Sequence, residues 1–184
     1  MYFIIAIDFC RAICYHRIMP KVKVAVIGTG YLGALHARIY KQDPTCSLEA
    51  VCDVDRARLD EIAGSLEVKG YGDFRQLFGA VDCVSIAVPT KHHFSIAKEC
   101  LENGIDTLVE KPFTERLAQA DSLIRTARKN NRILQVGHIE RFNSAFSACQ
   151  KLFQDPYFIE CHRLSLFPHR SLDVGVVLDL MIHD

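Results

Sequence analysis

The chain has no tryptophan and only three methionines among its 184 residues, and it carries no net charge, 22 basic residues balancing 22 acidic ones. A balanced chain offers no electrostatic footprint for a polyanion. Nucleic acid and an anionic membrane surface are therefore not the expected partners. Long apolar runs are also missing. The amino-terminal candidate, Tyr2–Ile7, is interrupted by Asp8 and Arg11, is too short to span a bilayer and lacks the basic start of a secretory leader. Residues 1–18 read as a poorly specified extension, because Met19-Pro20-Lys21 just ahead of the first strand looks like the natural start. The eight cysteines, Cys10, Cys14, Cys46, Cys52, Cys83, Cys100, Cys149 and Cys161, include no C-x-x-C pair. Cys52, Cys83 and Cys161 fall inside strand-like runs. Buried, reduced thiols in a cytoplasmic protein are expected, with neither a zinc site nor a disulfide framework. Internal repeats and low-complexity stretches are absent too.

What the sequence does contain is organised around Val22–Gly33. A β-branched apolar run ends in Gly28-Thr29-Gly30-Tyr31-Leu32-Gly33, and a helical pattern follows at once. A dinucleotide-binding βαβ unit needs this order. Gly28 permits the tight turn off the strand. Gly30 lets a pyrophosphate approach the backbone, and Gly33 lets the helix pack close to the strand. The helix then points its free N–H groups and positive dipole end at the phosphates. A second strand, Leu48–Cys52, is followed by Asp53, twenty residues past Gly33, where a carboxylate can accept from the adenosine ribose hydroxyls. That acid favours NAD over NADP, although Arg56 just beyond it could tolerate a 2′-phosphate.

Strands and helices alternate from there. Helices are expected over 32–41, with Leu32, Leu35 and Ile39 on one face, and over 56–66, with Leu59, Ile62, Ala63 and Leu66 inward. A short strand and turn at 70–73 lead to a brief helix capped by Asp73. The run Cys83–Val88, closed by Pro89, has the continuous apolar character of a parallel strand covered on both faces. A helix over 93–102, a strand over 107–109, a helix over 115–129 with Leu117, Leu123, Ile124 and Ala127 inward, and a strand over 133–136 complete the series. The fold expected for 19–137 is α/β, a doubly wound parallel (Rossmann) sheet. From 138 to 184 the pattern changes to a helix over 142–153, a long strand over 157–167 and a final helical stretch over 174–183. This reads as the start of an incomplete α+β domain for substrate binding and oligomerisation.

Chemistry is expected at the carboxyl edge of the sheet. Pro89 and His93 follow the Cys83–Val88 strand, and His93 either contacts the cofactor or simply starts the helix. Glu110-Lys111-Pro112 follows the next strand. Pro112 pushes Lys111 towards an extended conformation, from which its ammonium can donate to a substrate oxygen. His138, Glu140, Arg141 and Asn143 cluster after the 133–136 strand, where they could bind substrate or tie two domains together. Asp179 and His183 are spaced i, i+4, so on a helix they share a face. Such a pair is either a general base with its orienting carboxylate or an ordinary helical ion pair.

Taken together, Gly28-x-Gly30-x-x-Gly33, Pro89-x-x-x-His93, Glu110-Lys111-Pro112 and Asp179-x-x-x-His183 resemble the Gfo/Idh/MocA oxidoreductases over residues 21–184. The resemblance implies Lys111 as the orienting acid/base group, His183 as general base and Asp179 as its partner. Gly137–Asn143 and Val177–Asp184 look like the branch acting on nucleotide sugars. That branch implies hydride removal from C3 of a UDP-N-acetylhexosamine in the bacterial cytoplasm, feeding lipopolysaccharide synthesis, with Lys111, His138, Arg141 and Asn143 towards substrate and Glu110 towards cofactor. Ser144 stands where proline is common in that branch. Family members continue into a large sheet that usually mediates homo-oligomerisation, so this chain is expected to be an N-terminal portion. Two alternatives are an NAD-binding module without turnover and an inactive truncated product.

Overall fold

The computed structural model describes residues 21–152, 155, 157–160 and 162. Six strands form one parallel sheet: β1 Val22–Ile27, β2 Cys46–Cys52, β3 Lys69–Tyr71, β4 Cys83–Ile86, β5 Asp106–Val109 and β6 Leu134–Val136. Their spatial order is β3-β2-β1-β4-β5-β6. The order reverses between β1 and β4, whose carboxyl ends therefore flank a crevice. This is the doubly wound α/β sheet expected from the sequence.

The central strands show why their apolar runs are continuous rather than alternating. Every residue of β4 and β5 is buried. Alternate residues of β1 feed two separate cores, Val22, Val24 and Val26 on one face and Ala25 and Ile27 on the other. The first face is covered by α1 (Tyr31–Gln42) and α2 (Arg56–Leu66), and the second by α3 (Thr90–Glu102) and α4 (Leu117–Lys129). Asp55 caps α2 by accepting from Arg58 N–H, and Asp73 caps the 3₁₀ turn at Phe74–Leu77 by accepting from Arg75 N–H.

Several expectations shift. In α1 the buried face is Gly33, Ala34, His36, Ala37 and Tyr40, while Leu32, Leu35 and Ile39 are only partly covered. The closest approach is at Gly33, where a Cβ would meet the Gly28 carbonyl. In α4, Leu123 and Ala127 are buried, but Leu117 is 86% exposed and Ile124 40%. Leu117 opens the helix and projects beyond the sheet edge. α3 begins at Thr90 rather than His93, so His93 lies inside its first turns. Strand β4 stops at Ile86, two residues before the expected end.

After β6 a 3₁₀ turn at Ile139–Phe142 precedes α5, Ser144–Cys149, and a further 3₁₀ turn. The single helix expected over 142–153 is split because Asn143 acts as a cap, its Oδ1 accepting from the N–H groups of Ala145 and Phe146. Residues 157–160, expected to open a long strand, are not in a strand, and Tyr157, Phe158 and Ile159 are exposed. Among the described residues no neighbouring strand pairs with them, and a lone strand has no source of ladder hydrogen bonds. Residues 1–18 and the expected helix over 174–183 lie outside the described residues.

Candidate cofactor and substrate site

The glycine loop sits at the carboxyl end of β1. Gly28 has φ +91°, and a Cβ there would lie 2.5 Å from the Ala87 carbonyl oxygen at the end of β4. The Gly28 N–H donates to Cys52 O at 2.7 Å, fastening the turn to β2. A Cβ on Gly33 would collide with the Gly28 carbonyl, so the first turn of α1 rests on the loop itself. Gly30 differs from both. Its Cβ would meet only the Arg58 guanidinium, at 3.7 Å. The first bond of α1 runs from Ala34 N–H to Gly30 O, and no side chain caps the helix. The amides before Ala34 thus lack an intrahelical acceptor. Uncapped amides beside an open glycine form a cradle of the kind a pyrophosphate fills. Tyr31 is 72% exposed at the loop's outer side and Leu32 is partly covered.

Asp53 closes the loop from the β2 side. Its Oδ2 accepts from Thr29 N–H at 2.7 Å and from Thr29 Oγ at 2.9 Å. Its Oδ1 accepts from Asp55 N–H at 2.9 Å and keeps capacity for a ribose hydroxyl. Burial pushes this carboxyl up, but the donors from Asp55 and Thr29, with the Arg58 charge, outweigh it and hold the group below the ordinary carboxylate range. The residue expected to read the ribose therefore also fixes the shape of the phosphate loop.

The lysine turn sits at the carboxyl end of β5, separated from β1 only by β4. Lys111-Pro112 is a cis peptide and Lys111 is half-buried. Glu110 is 4% exposed. Its Oε2 accepts from Lys111 N–H at 3.1 Å. Its Oε1 lies 3.2 Å from His36 Nε2, close but not aligned as a hydrogen bond. His36 Nδ1 in turn is 2.6 Å from Ser85 Oγ on β4. A Cβ on Gly137 would come within 2.8 Å of Glu110 Oε1, so β6 also ends against this carboxylate.

His93 is 1% exposed, and its ring is engaged by backbone on both sides. Nδ1 is 2.8 Å from Pro112 O and Nε2 is 2.8 Å from Val88 O. A neutral ring donates to one of these carbonyls and a protonated ring to both. The imidazole is a strut between the loop after β4 and the lysine turn, with no nitrogen left to reach a cofactor. Pro89 caps α3 from an exposed position.

Beyond β6, His138 is half-buried beside Glu110 and Arg141 is exposed. Burial, then the Arg141 charge, lowers the His138 pKa against an opposing pull from Glu110. Asn143 donates to Glu140 Oε2 at 2.9 Å besides capping α5, so its side chain serves the local backbone. Asp179 and His183 lie outside the described residues. Among those described, no cluster of three or more His, Cys, Asp or Glu could hold a metal. Cys46, Cys52, Cys83 and Cys100 are buried. Burial, with neighbouring acids, pushes the Cys52 and Cys100 thiols up to about 12, which keeps them inert. No described helix is long and apolar enough to cross a membrane.

Two residues of this site escaped the sequence reading. His36 lay unnoticed in a helix whose apolar spacing drew attention elsewhere, and Ser85 lay in an apolar strand. A polar residue in a fully buried strand, and a histidine three residues past the last glycine of the loop, were the available signals.

A parallel sheet in this order, with an open glycine cradle at β1 and a lysine turn two strands away, is the architecture of a dinucleotide-binding domain. Residues 22–138 match the oxidoreductase family with an NAD-binding Rossmann fold, and the chain belongs to this Gfo/Idh/MocA family. It is 38% identical over 167 residues to UDP-N-acetylglucosamine 3-dehydrogenase of Acidithiobacillus ferrooxidans, covering 90% of this chain and 53% of that protein. It is 28% identical to myo-inositol 2-dehydrogenase of Thermotoga maritima, covering 89% and 52%. The solved structure of the Acidithiobacillus enzyme superposes with a TM-score of 0.81 at 37% identity, over 90% of this chain and 54% of that one. GenD2 from gentamicin A biosynthesis, solved in complex with NAD, gives a TM-score of 0.71 at 26% identity, over 76% and 40%. The chain spans about half the length of the curated relatives it matches.

Proposed function

We propose that this chain supplies the cofactor domain and reacting side chains of an NAD-dependent dehydrogenase that oxidises a sugar hydroxyl, C3 of a UDP-N-acetylhexosamine being the best-supported target. The observation that carries the reading is the placement of the Gly30 cradle and the Lys111 turn on one sheet edge, with only β4 between them. The similarity to UDP-N-acetylglucosamine 3-dehydrogenase supports the substrate class. Asp53 supports NAD over NADP, since an ionised carboxylate held below its ordinary range repels a 2′-phosphate.

Bound NAD would supply the hydride acceptor. Lys111 Nζ donates a hydrogen bond to the sugar hydroxyl oxygen and steadies the charge that grows there as its proton leaves. By spacing and resemblance, His183 takes that proton at one ring nitrogen while Asp179 accepts from the other ring N–H. His138 and Arg141 are the exposed or half-buried groups best placed to meet substrate from beyond β6. Residues 138–184 would belong to a substrate and oligomerisation domain, and the whole protein would be a homo-oligomer working in the cytoplasm on a precursor of lipopolysaccharide.

The test pairs binding with turnover. Calorimetry of this chain should show NAD binding more tightly than NADP, and Asp53→Ala should narrow that gap. NADH production from UDP-N-acetylglucosamine should vanish in Lys111→Ala. Undiminished turnover in that variant, or tighter binding of NADP, would sink the corresponding part of the reading.

A further inference from the structure

His36, Ser85 and Glu110 are three buried polar residues drawn from α1, β4 and β5, and the chemistry proposed above uses none of them directly. His36 is 2% exposed, Ser85 0% and Glu110 4%. Polar side chains this deep are costly unless each meets a partner, so their alignment calls for a physical account. The contacts form a line. Ser85 Oγ is 2.6 Å from His36 Nδ1, His36 Nε2 is 3.2 Å from Glu110 Oε1, and Glu110 Oε2 accepts from Lys111 N–H at 3.1 Å. If the Ser85 hydroxyl donates to Nδ1, the imidazole proton sits on Nε2 and faces the carboxylate. The line begins at Ser85 on β4 and passes through His36, in the helix that starts at the glycine loop. It ends on the backbone of the lysine that faces the substrate.

We propose that His36 is a positioning residue for Lys111, holding the Glu110 carboxylate so that its second oxygen fixes the lysine's backbone relative to α1 and the cofactor it cradles. This rests on the reading of Lys111 given above. The geometry favours a positioning role over simple core filling for two reasons. Apolar side chains in place of His36, Ser85 and Glu110 together would fill the same space with no buried carboxylate to satisfy. The line also ends on the backbone N–H of the one lysine in a rigid turn at the cofactor edge, whereas a merely structural pair could end anywhere. Gly137 contributes by leaving room, since a Cβ there would press on Glu110 Oε1 and push the carboxylate off the lysine amide.

The test follows Lys111 itself in the 184-residue chain, with its lysines reductively dimethylated using carbon-13 and the Lys111 resonance assigned through Lys111→Arg. NAD is the added probe, and its affinity is measured alongside. In His36→Leu the Lys111 resonance should move and its NAD-induced shift should shrink, while NAD affinity stays within about threefold of wild type. His36→Gln, whose amide can still donate to Glu110, should restore the wild-type resonance. Glu110→Gln and Ser85→Ala, both near-isosteric, should displace the resonance by a large and a small amount respectively, and they decide the matter even if His36→Leu fails to fold. A Lys111 resonance unmoved in Glu110→Gln and Ser85→Ala overturns the positioning role. So does one that moves equally in His36→Gln and His36→Leu. Normal turnover by Lys111→Ala would instead overturn the proposed function and leave this spectroscopic result intact.

Discussion

The two loops at the active edge are built by opposite means. The glycine loop after β1 is shaped by side chains that are missing. Gly28 takes φ +91° under the Ala87 carbonyl, and Gly33 lies against the Gly28 carbonyl, where a methyl group does not fit. The lysine turn after β5 is shaped by side chains that are present and distant. His93 reaches Pro112 O from α3, and His36 reaches Glu110 from α1. A loop fixed by sterics is local and rigid at little polar cost. A turn fixed by buried polar contacts depends on several elements arriving in register, so it can be loosened from far away.

Steric fixing predicts the largest single effect. Gly33→Ala sets a Cβ against the Gly28 carbonyl, backbone against backbone, with nothing flexible to yield. The expected loss is more than about 3 kcal/mol of stability, read from the denaturant midpoint, with NAD binding lost alongside. Near-wild-type stability would mean that the loop is softer than its geometry implies, and the contrast between the two loops would weaken.

Polar fixing predicts the next. His93→Leu removes the ring from two buried carbonyls, Pro112 O and Val88 O, and should cost about 2 kcal/mol. The discriminating readout is location. Hydrogen exchange should rise around 110–113 and leave the amides of β1 protected. Uniform loss of protection would show that the strut supports the whole sheet rather than the turn.

Asp53 belongs to both modes, because its carboxylate shapes the glycine loop through Thr29 and, in the proposed function, reads the ribose. Asp53→Asn should weaken NAD binding by about tenfold through loss of charged acceptors. Its folded pKa is lowered, so the stability it contributes is fully present above the pKa of the unfolded carboxyl and is lost as pH falls through the folded value. Urea midpoints measured downward from about pH 5 should therefore fall more steeply for wild type than for Asp53→Asn. Parallel curves would show that Thr29 donates equally well to the protonated acid.

This division explains what was legible in the sequence. The strand, the glycine spacing and Asp53 lie within 32 consecutive residues, and each follows from local geometry, so the doubly wound parallel sheet was readable. Lys111 stood out in the sequence because the adjoining Pro112 restricts it locally. What holds Lys111 did not. His93 and Pro112 are 19 residues apart, and His36 and Ser85 are 49 apart, so neither contact leaves a periodic trace. The inward face of α1 was misjudged as well. Hydrophobic spacing selects Leu32, Leu35 and Ile39, but the face that packs on the sheet is Gly33, Ala34, His36, Ala37 and Tyr40. Beyond β6, the apolar run suggested a strand over 157–167, but Phe158 and Ile159 are exposed and outside any strand.

The smallest effect on the fold makes the sharpest test of the loop. Gly30 has φ −62°, which alanine adopts without strain, and an added Cβ meets only the tip of Arg58, at 3.7 Å. Gly30→Ala should therefore change stability by less than about 1 kcal/mol, the small loss being that of alanine at a helix N-cap. The same methyl group projects into the cradle beside the uncapped amides of α1, where a pyrophosphate must come within hydrogen-bonding distance of backbone. NAD affinity should fall by about tenfold or more, against an unchanged denaturant midpoint. The comparison with Gly33→Ala then separates two uses of glycine three residues apart. One leaves room for the protein's own backbone and the other leaves room for a ligand. Unaltered affinity in Gly30→Ala would move the phosphate contact away from this face of the loop, and the argument for a dinucleotide would then rest on Asp53 and the family match alone.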